Sequence, residues 1–120
     1  MTKILFVCSG NVDRSPTAEA IYKNHPELEV KSAGAGWNPY QRVNEELLQW
    51  ADVVLCMEEW HKQTIMKDYG NVIAGKRIDY LDIEDDYPCV HPQLIKIIKE
   101  KVDTWLRENL LNIVETCKSH

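Results

Sequence analysis

The 120-residue chain has no long apolar run. Nothing in it approaches the roughly 20 consecutive apolar residues that span a bilayer, so no membrane association is expected. Its start, Met1-Thr2-Lys3, leads into only a short apolar stretch, Ile4 to Val7, which does not read as a secretory signal. Cysteine is sparse and scattered. Cys8, Cys56, Cys89 and Cys117 form no C-x-x-C pair of the kind that holds zinc. Their irregular spacing favours free thiols in a reducing compartment, so a cytoplasmic protein is expected. Positive charge is in deficit: 14 Lys and Arg against 19 Asp and Glu give a net charge of -5. That balance speaks against a nucleic-acid binder and requires any anion site to be built locally. His25, His61, His91 and His120 match no ligand spacing and read as surface or internally satisfied side chains. No metal or other cofactor is expected.

What the chain does have is a regular alternation of short apolar strands and amphipathic helices, without repeats or linkers, so residues 1–120 read as one domain. Lys3 to Cys8 is continuous and apolar, as in a strand buried on both faces. A turn-forming cluster, Ser9-Gly10-Asn11, follows, and Ser15-Pro16 has the composition of a helix start, with Ser as cap and Pro in the first position. Further strands are expected at Leu28 to Ala33, Asp52 to Met57 and Arg77 to Tyr80, and helices at Val43 to Trp50 and Glu58 to Lys67. In the last helix Leu94, Ile97, Ile98, Val102, Trp105, Leu106, Leu110, Ile113 and Val114 recur at three- and four-residue steps. The order predicts a three-layer α/β/α fold around a four-stranded, mostly parallel twisted sheet. Ligands of such sheets bind beyond the carboxyl ends of the strands, where Cys8 to Ser15 lies.

That segment, Cys8-Ser9-Gly10-Asn11-Val12-Asp13-Arg14-Ser15-Pro16, contains Cys-x5-Arg. The spacing alone recurs by chance; its place between a buried strand and a helix start gives it meaning. A loop there aims successive amides at one point, and the helix start adds about half a positive charge. Arg14 supplies a planar fork for two phosphate oxygens. Thiols in such surroundings fall from about 8.5 to roughly 3.5–7.5 in pKa, which makes Cys8 a candidate nucleophile for in-line attack at phosphorus. Ser15 is placed to donate a hydrogen bond to the thiolate. Ser9, Gly10, Asn11, Val12 and Asp13 complete the expected cradle for substrate phosphate, inorganic phosphate or sulfate. The bland alternative is a strand-end cysteine packed beside an unrelated arginine.

Val7-Cys8-x-Gly10-Asn11-x-x-Arg14-Ser15-Pro16 resembles the low-molecular-weight protein tyrosine phosphatases, in a compact form seen in bacteria and archaea. Ser32-Ala33-Gly34, Ala51 to Glu58, and Ile83-Glu84-Asp85-Asp86-Tyr87 are similar to that family's Ser-Ala-Gly segment, central strand and Asp-Pro-Tyr loop. The resemblance implies a phosphocysteine intermediate at Cys8, phosphate binding by Arg14, bracing of the loop by Asn11, and Asp85 as general acid, with Asp86 second. It places aromatic walls at Trp37, or alternatively Tyr40, and at Tyr87. Crowding of Asp82, Glu84, Asp85 and Asp86 favours retention of a proton on one of them. Alternatively, this is a solvated acidic loop.

One position departs from the pattern. Asp13 stands where the family usually has a second cysteine, so the protective disulfide between neighbouring loop cysteines is excluded. An inward, ionised carboxylate about 4 Å from a bound anion, at an effective dielectric near 20, would oppose it by roughly 4 kcal/mol. The alternative is a side chain turned away to a backbone N–H, Arg42 or Lys23. The leading expectation is a cysteine phosphomonoesterase for phosphotyrosine in protein or a small aryl phosphate. Against it stand a non-catalytic phosphate- or phosphopeptide-binding module, suggested by Asp13, and an arsenate reductase. The latter needs a relay of close cysteines, whereas Cys56 and Cys89 are far apart in sequence. An arginine-phosphate phosphatase is a narrower variant; its kind carries Thr where this chain has Val12.

Overall fold

A computed structural model describes residues 1–109. Four strands and four helices alternate: β1 (Thr2–Cys8), α1 (Arg14–Tyr22), β2 (Leu28–Gly34), α2 (Glu45–Trp50), β3 (Val53–Cys56), α3 (Glu59–Tyr69), β4 (Arg77–Tyr80) and α4 (Pro92–Asn109). The strands form one sheet in the order β2-β1-β3-β4, with every pairing parallel. The three-layer arrangement follows from β1, whose alternate residues feed two cores. Ile4, Phe6 and Cys8 pack with Ala18 and Tyr22 of α1 and with Leu94, Ile98 and Val102 of α4. Leu5 and Val7 face the other way, into a core shared with Leu48 of α2 and Ile65 of α3. A strand with both faces buried needs the unbroken apolar run that this one has.

The expected strands and helices are present, with shifted ends. Expected residues Leu110, Ile113 and Val114 of the last helix, and Cys117 and His120, lie outside the described residues. The start of α1 differs in a way that matters for the site. The helix opens at Arg14, one residue before the expected Ser15 cap. Ser15 is therefore inside the first turn, and its hydroxyl is directed to Cys8 and not to helix amides. Pro16 falls at the third helical position, still among the amides that have no intrahelical partner. By contrast α2 is capped by its flanking residue: Asn44 Oδ1 accepts the Leu47 N–H at 2.8 Å.

Polar bonds lock the outer helices onto this frame. Tyr22 donates its hydroxyl to Asp103 at 2.7 Å, joining α1 to α4, and Trp105 Nε1 donates to Asp79 at 2.9 Å, joining α4 to β4. Among the described residues no helix is long and apolar enough to cross a membrane. Ile98 is fully buried between α4 and the sheet. Ile98→Ala is expected to cost about 2–5 kcal/mol, read as a lower urea midpoint with an unchanged slope.

Candidate active site

The loop between β1 and α1 is shaped from outside by the segment that follows β2. The carbonyls of Cys8, Ser9 and Gly10 accept the N–H groups of Ala35, Gly36 and Tyr40 at 2.9 Å each. In a trans peptide the carbonyl and the next N–H point in opposite directions. The amides of Ser9, Gly10 and Asn11 are therefore turned away from these partners in segment 35–40. Gly34 makes this close approach possible, since a side chain there would meet Ser9 O at 2.6 Å and Pro39 at 2.5 Å. Asn11 takes the left-handed bend at φ 55°, a conformation that Asn tolerates better than most residues.

Inside this wrap, Cys8 Sγ lies 3.0 Å from Ser15 Oγ, with both residues buried. Asn11 Nδ2 donates to Ser15 Oγ at 2.9 Å and to Ser32 Oγ at 3.0 Å, and Ser32 donates to Glu19. Asn11 thus braces the loop against β2. Ser15 Oγ accepts the Asn11 N–H and directs its own single proton either to the Ala33 carbonyl at 3.2 Å or to Cys8. A thiolate draws the second arrangement.

Arg14 is 1% exposed, so its charge is almost wholly removed from water. Its Nη1 donates to Glu58 Oε2 at 2.6 Å and to the Ile83 carbonyl at 2.7 Å, and Nη2 donates to Ser9 Oγ at 3.0 Å. Three of five N–H donors are engaged. One each remains on Nε and Nη2, the side-on fork that matches two phosphate oxygens. Asp85 Oδ1 stands 3.8 Å from Nε. Cys8, Gly10, Val12, Asp13, Arg14 and Asp85 line one cavity of about 60 Å³. The structure thus brings the expected nucleophile, arginine and acid around a single hollow.

Asp13 resolves the departure noted above. Its Oδ1 accepts the Cys89 N–H at 3.0 Å, so the carboxylate is tied to the loop before α4. The expected aromatic walls are placed differently. Tyr87 packs on the core and stacks on His91, with centroids 5.0 Å apart, and is not among the residues lining the cavity. Trp37 is 92% exposed and also lies outside that lining. Tyr40 is the aromatic next to the mouth: it lines an open groove with Asn11, Val12, Pro16 and Gln41, and Val12 borders cavity and groove alike. Asp82, Glu84, Asp85 and Asp86 are all exposed, and of these four only Asp85 is paired with Arg14.

In the sequence His61 reads as a surface or internally satisfied side chain with no place in the site. It is fully buried and joins the site: Nε2 lies 2.9 Å from Ser9 Oγ, and Nδ1 accepts the Glu58 N–H at 3.0 Å. The second bond fixes the neutral tautomer, with the proton on Nε2 and donated to Ser9. Burial first, and the Arg14 charge second, push the imidazole pKa down to about 4, against a smaller opposing pull from Glu58. The signal was present in the spacing Glu58-x-x-His61, with Glu58 just before α3 and His61 at its third position, a box-like pairing across a helix start. Burial pushes the Cys56 thiol far up, so it stays protonated and inert. Among the described residues no cluster of three or more His, Cys, Asp or Glu is arranged to hold a metal.

The chain thus presents a parallel α/β sheet with a cysteine- and arginine-bearing loop at the end of its first strand. Residues 3–50 match the family described as low molecular weight phosphotyrosine protein phosphatase. The protein-arginine-phosphatase of Bacillus subtilis is 35% identical over 94 residues, covering 56% of this chain and 63% of that protein. The Wzb low molecular weight protein-tyrosine-phosphatase of Salmonella typhi is 66% identical over 35 residues, covering 28% of this chain and 24% of that protein. Vibrio vulnificus Wzb in complex with benzylphosphonate superposes with a TM-score of 0.72 at 23% identity, over 89% of this chain and 98% of that one. Residues 3–50 are thus similar in sequence to the low-molecular-weight phosphotyrosine phosphatases, and the chain shares the fold of Vibrio vulnificus Wzb. It spans less than two thirds of the length of the curated relatives named here.

The buried imidazole gives a stability signature. In the fold His61 resists protonation down to about pH 4, while in the unfolded chain it protonates from 6.5 downward. Between these values unfolding takes up a proton, so stability falls as pH falls. His61→Gln is expected to flatten that part of the pH dependence, measured as the difference in urea midpoint between pH 7 and pH 4.5 for both proteins.

Proposed function

We propose that the chain is a cysteine-dependent phosphomonoesterase acting on aryl phosphates, with phosphotyrosine in protein as the substrate class. The observation that carries this reading is the shared cavity: Cys8, the free fork of Arg14 and Asp85 face one hollow of phosphate size. The amides of the loop and the start of α1 add positive potential where phosphate oxygens would sit. The Cys8 thiolate, held by Ser15, attacks phosphorus in line; the S–P bond forms as the bond to the aryl oxygen breaks. Asp85 gives its proton to that oxygen. Water then attacks the phosphocysteine, Asp85 takes its proton, and the S–P bond breaks to release inorganic phosphate and the thiolate. Val12 and Tyr40 flank the substrate's ring and chain where the cavity opens into the groove.

The tests follow the roles. Hydrolysis of an aryl phosphate is expected to survive EDTA and to disappear in Cys8→Ser; undiminished turnover in that variant would falsify the mechanism. Cys89→Ser, which removes the exposed thiol, is expected to keep full activity. Asp85→Asn is expected to lower kcat/KM for phenyl phosphate by about 10²- to 10⁴-fold, the usual contribution of a general acid. The relative named for arginine phosphate motivates a parallel assay with phosphoarginine. Faster turnover of that substrate would replace the aryl ester in this reading.

A further inference from the structure

Asp13 is the residue that the chemistry of an anion site would least favour, and its side chain makes a bond spanning 76 positions of sequence. The segment between β4 and α4 carries Asp85, and it is held at two places. At its near end the Ile83 N–H donates to the Met57 carbonyl at 2.7 Å, while the Ile83 carbonyl accepts from Arg14. At its far end Asp13 Oδ1 accepts the Cys89 N–H at 3.0 Å. Next to it, Thr17 Oγ1 accepts the Val90 N–H at 2.9 Å and lies 2.6 Å from the Asp13 carbonyl, to which it donates. Val90 is β-branched yet has φ 51°, a conformation such residues adopt only when their surroundings impose it. The two far-end bonds impose it. Residues 84–88 form no helix or strand and run between these anchors.

From this we propose that Asp13, with Thr17 as its second contact, is a positioning residue. It anchors the far end of the acid-bearing loop and so sets Asp85 over the cavity. The assignment rests on the phosphatase reading above, because the value of a placed Asp85 is protonation of a leaving group. Asp13 serves through a neutral property, acceptance of a backbone N–H, so its charge is dispensable and its oxygen is not. Asn in its place keeps the bond.

The discriminating measurement is kcat/KM for two esters, phenyl phosphate, whose leaving group needs a proton, and p-nitrophenyl phosphate, whose leaving group hardly does. Asp13→Ala and Thr17→Val are each expected to lower the value for phenyl phosphate about tenfold or more, part of the 10²–10⁴ an acid contributes. The nitrophenyl ester is expected to change by less than about threefold on the same scale. Asp13→Asn restores the phenyl ester. In an Asp85→Asn background, Asp13→Ala has no further effect. Hydrogen exchange at the Cys89 and Val90 amides, measured without substrate, is expected to accelerate in Asp13→Ala and not in Asp13→Asn. Equal losses on both esters, additivity with Asp85→Asn, or unchanged exchange at those amides would each overturn the positioning role while leaving the phosphatase intact. A wild-type protein that hydrolyses neither ester would remove the phosphatase reading and this role with it.

Discussion

A buried guanidinium is the constraint around which the site is organised. Arg14 is 1% exposed, and a charge taken out of water at such depth persists only when paired and hydrogen-bonded. Its partners come from separate parts of the chain. Glu58 follows β3, Ile83 follows β4, and Ser9 belongs to the loop itself. Satisfying one side chain therefore holds three strand ends in register at the carboxyl edge of the sheet. Removing any of the three would leave part of a buried cation unmatched, a larger penalty than the loss of an exposed hydrogen bond. The same bonds leave only the Nε and Nη2 edge of the guanidinium for a ligand, so structural and chemical roles are divided between its two sides.

Around this centre the hydrogen bonds run outward without a gap. Glu19, Ser32, Asn11 and Ser15 lead from β2 and α1 to Cys8, and Glu58, His61 and Ser9 lead from α3 back to Arg14. Among the described residues no buried side-chain N or O lacks a partner. Fully satisfied networks of this kind specify one arrangement, because each alternative rotamer strands a donor or acceptor in low dielectric. The neutral tautomer of His61 matters here. A second cation beside Arg14 would need its own counter-charge, whereas a neutral ring with a fixed proton supplies one acceptor for the Glu58 amide and one donor for Ser9.

The parts of this structure legible in the sequence are those whose cause is local. The apolar run of β1, the three- and four-residue recurrence through Val102 and Trp105, and the succession Cys8, Arg14, Ser15 each report on themselves within a turn or two. Resemblance to a motif singles out Asp85, and the structure sets its carboxylate 3.8 Å from Arg14 Nε. Placements that no local pattern gives have a common source. Ser15 has the composition of a cap, but a buried sulfur neighbour takes its hydroxyl and moves the helix start back to Arg14. Tyr87 stacks on His91 and Trp37 is exposed, because the direction of an aromatic ring depends on packing partners that no local pattern records. His61 lies 52 positions from Ser9, and Asp13 lies 76 from Cys89. Contacts at such separation leave no periodicity to read.

The charge count of the site bears on how the proposed phosphate hollow coexists with a net charge of -5 and a carboxylate in its loop. Arg14 is matched by Glu58 at 2.6 Å, so the side chains at its core sum to about zero. Asp13 is bonded to the Cys89 amide, and Asp85 is half-exposed to solvent. On the proposed reading, what would attract an anion is then chiefly dipolar: the amides of the loop and the start of α1, equivalent to about half an elementary charge. Dipoles held by the wrap of segment 35–40 act over a few ångströms and need no reorganisation when an anion arrives. Surface carboxylates elsewhere act across a distance comparable with the screening length of about 8–10 Å at physiological salt. The near field therefore wins inside the loop, and the far field is confined to the approach. This division makes the geometry of the peptide groups, more than the inventory of charged residues, the quantity on which the proposed phosphate recognition turns.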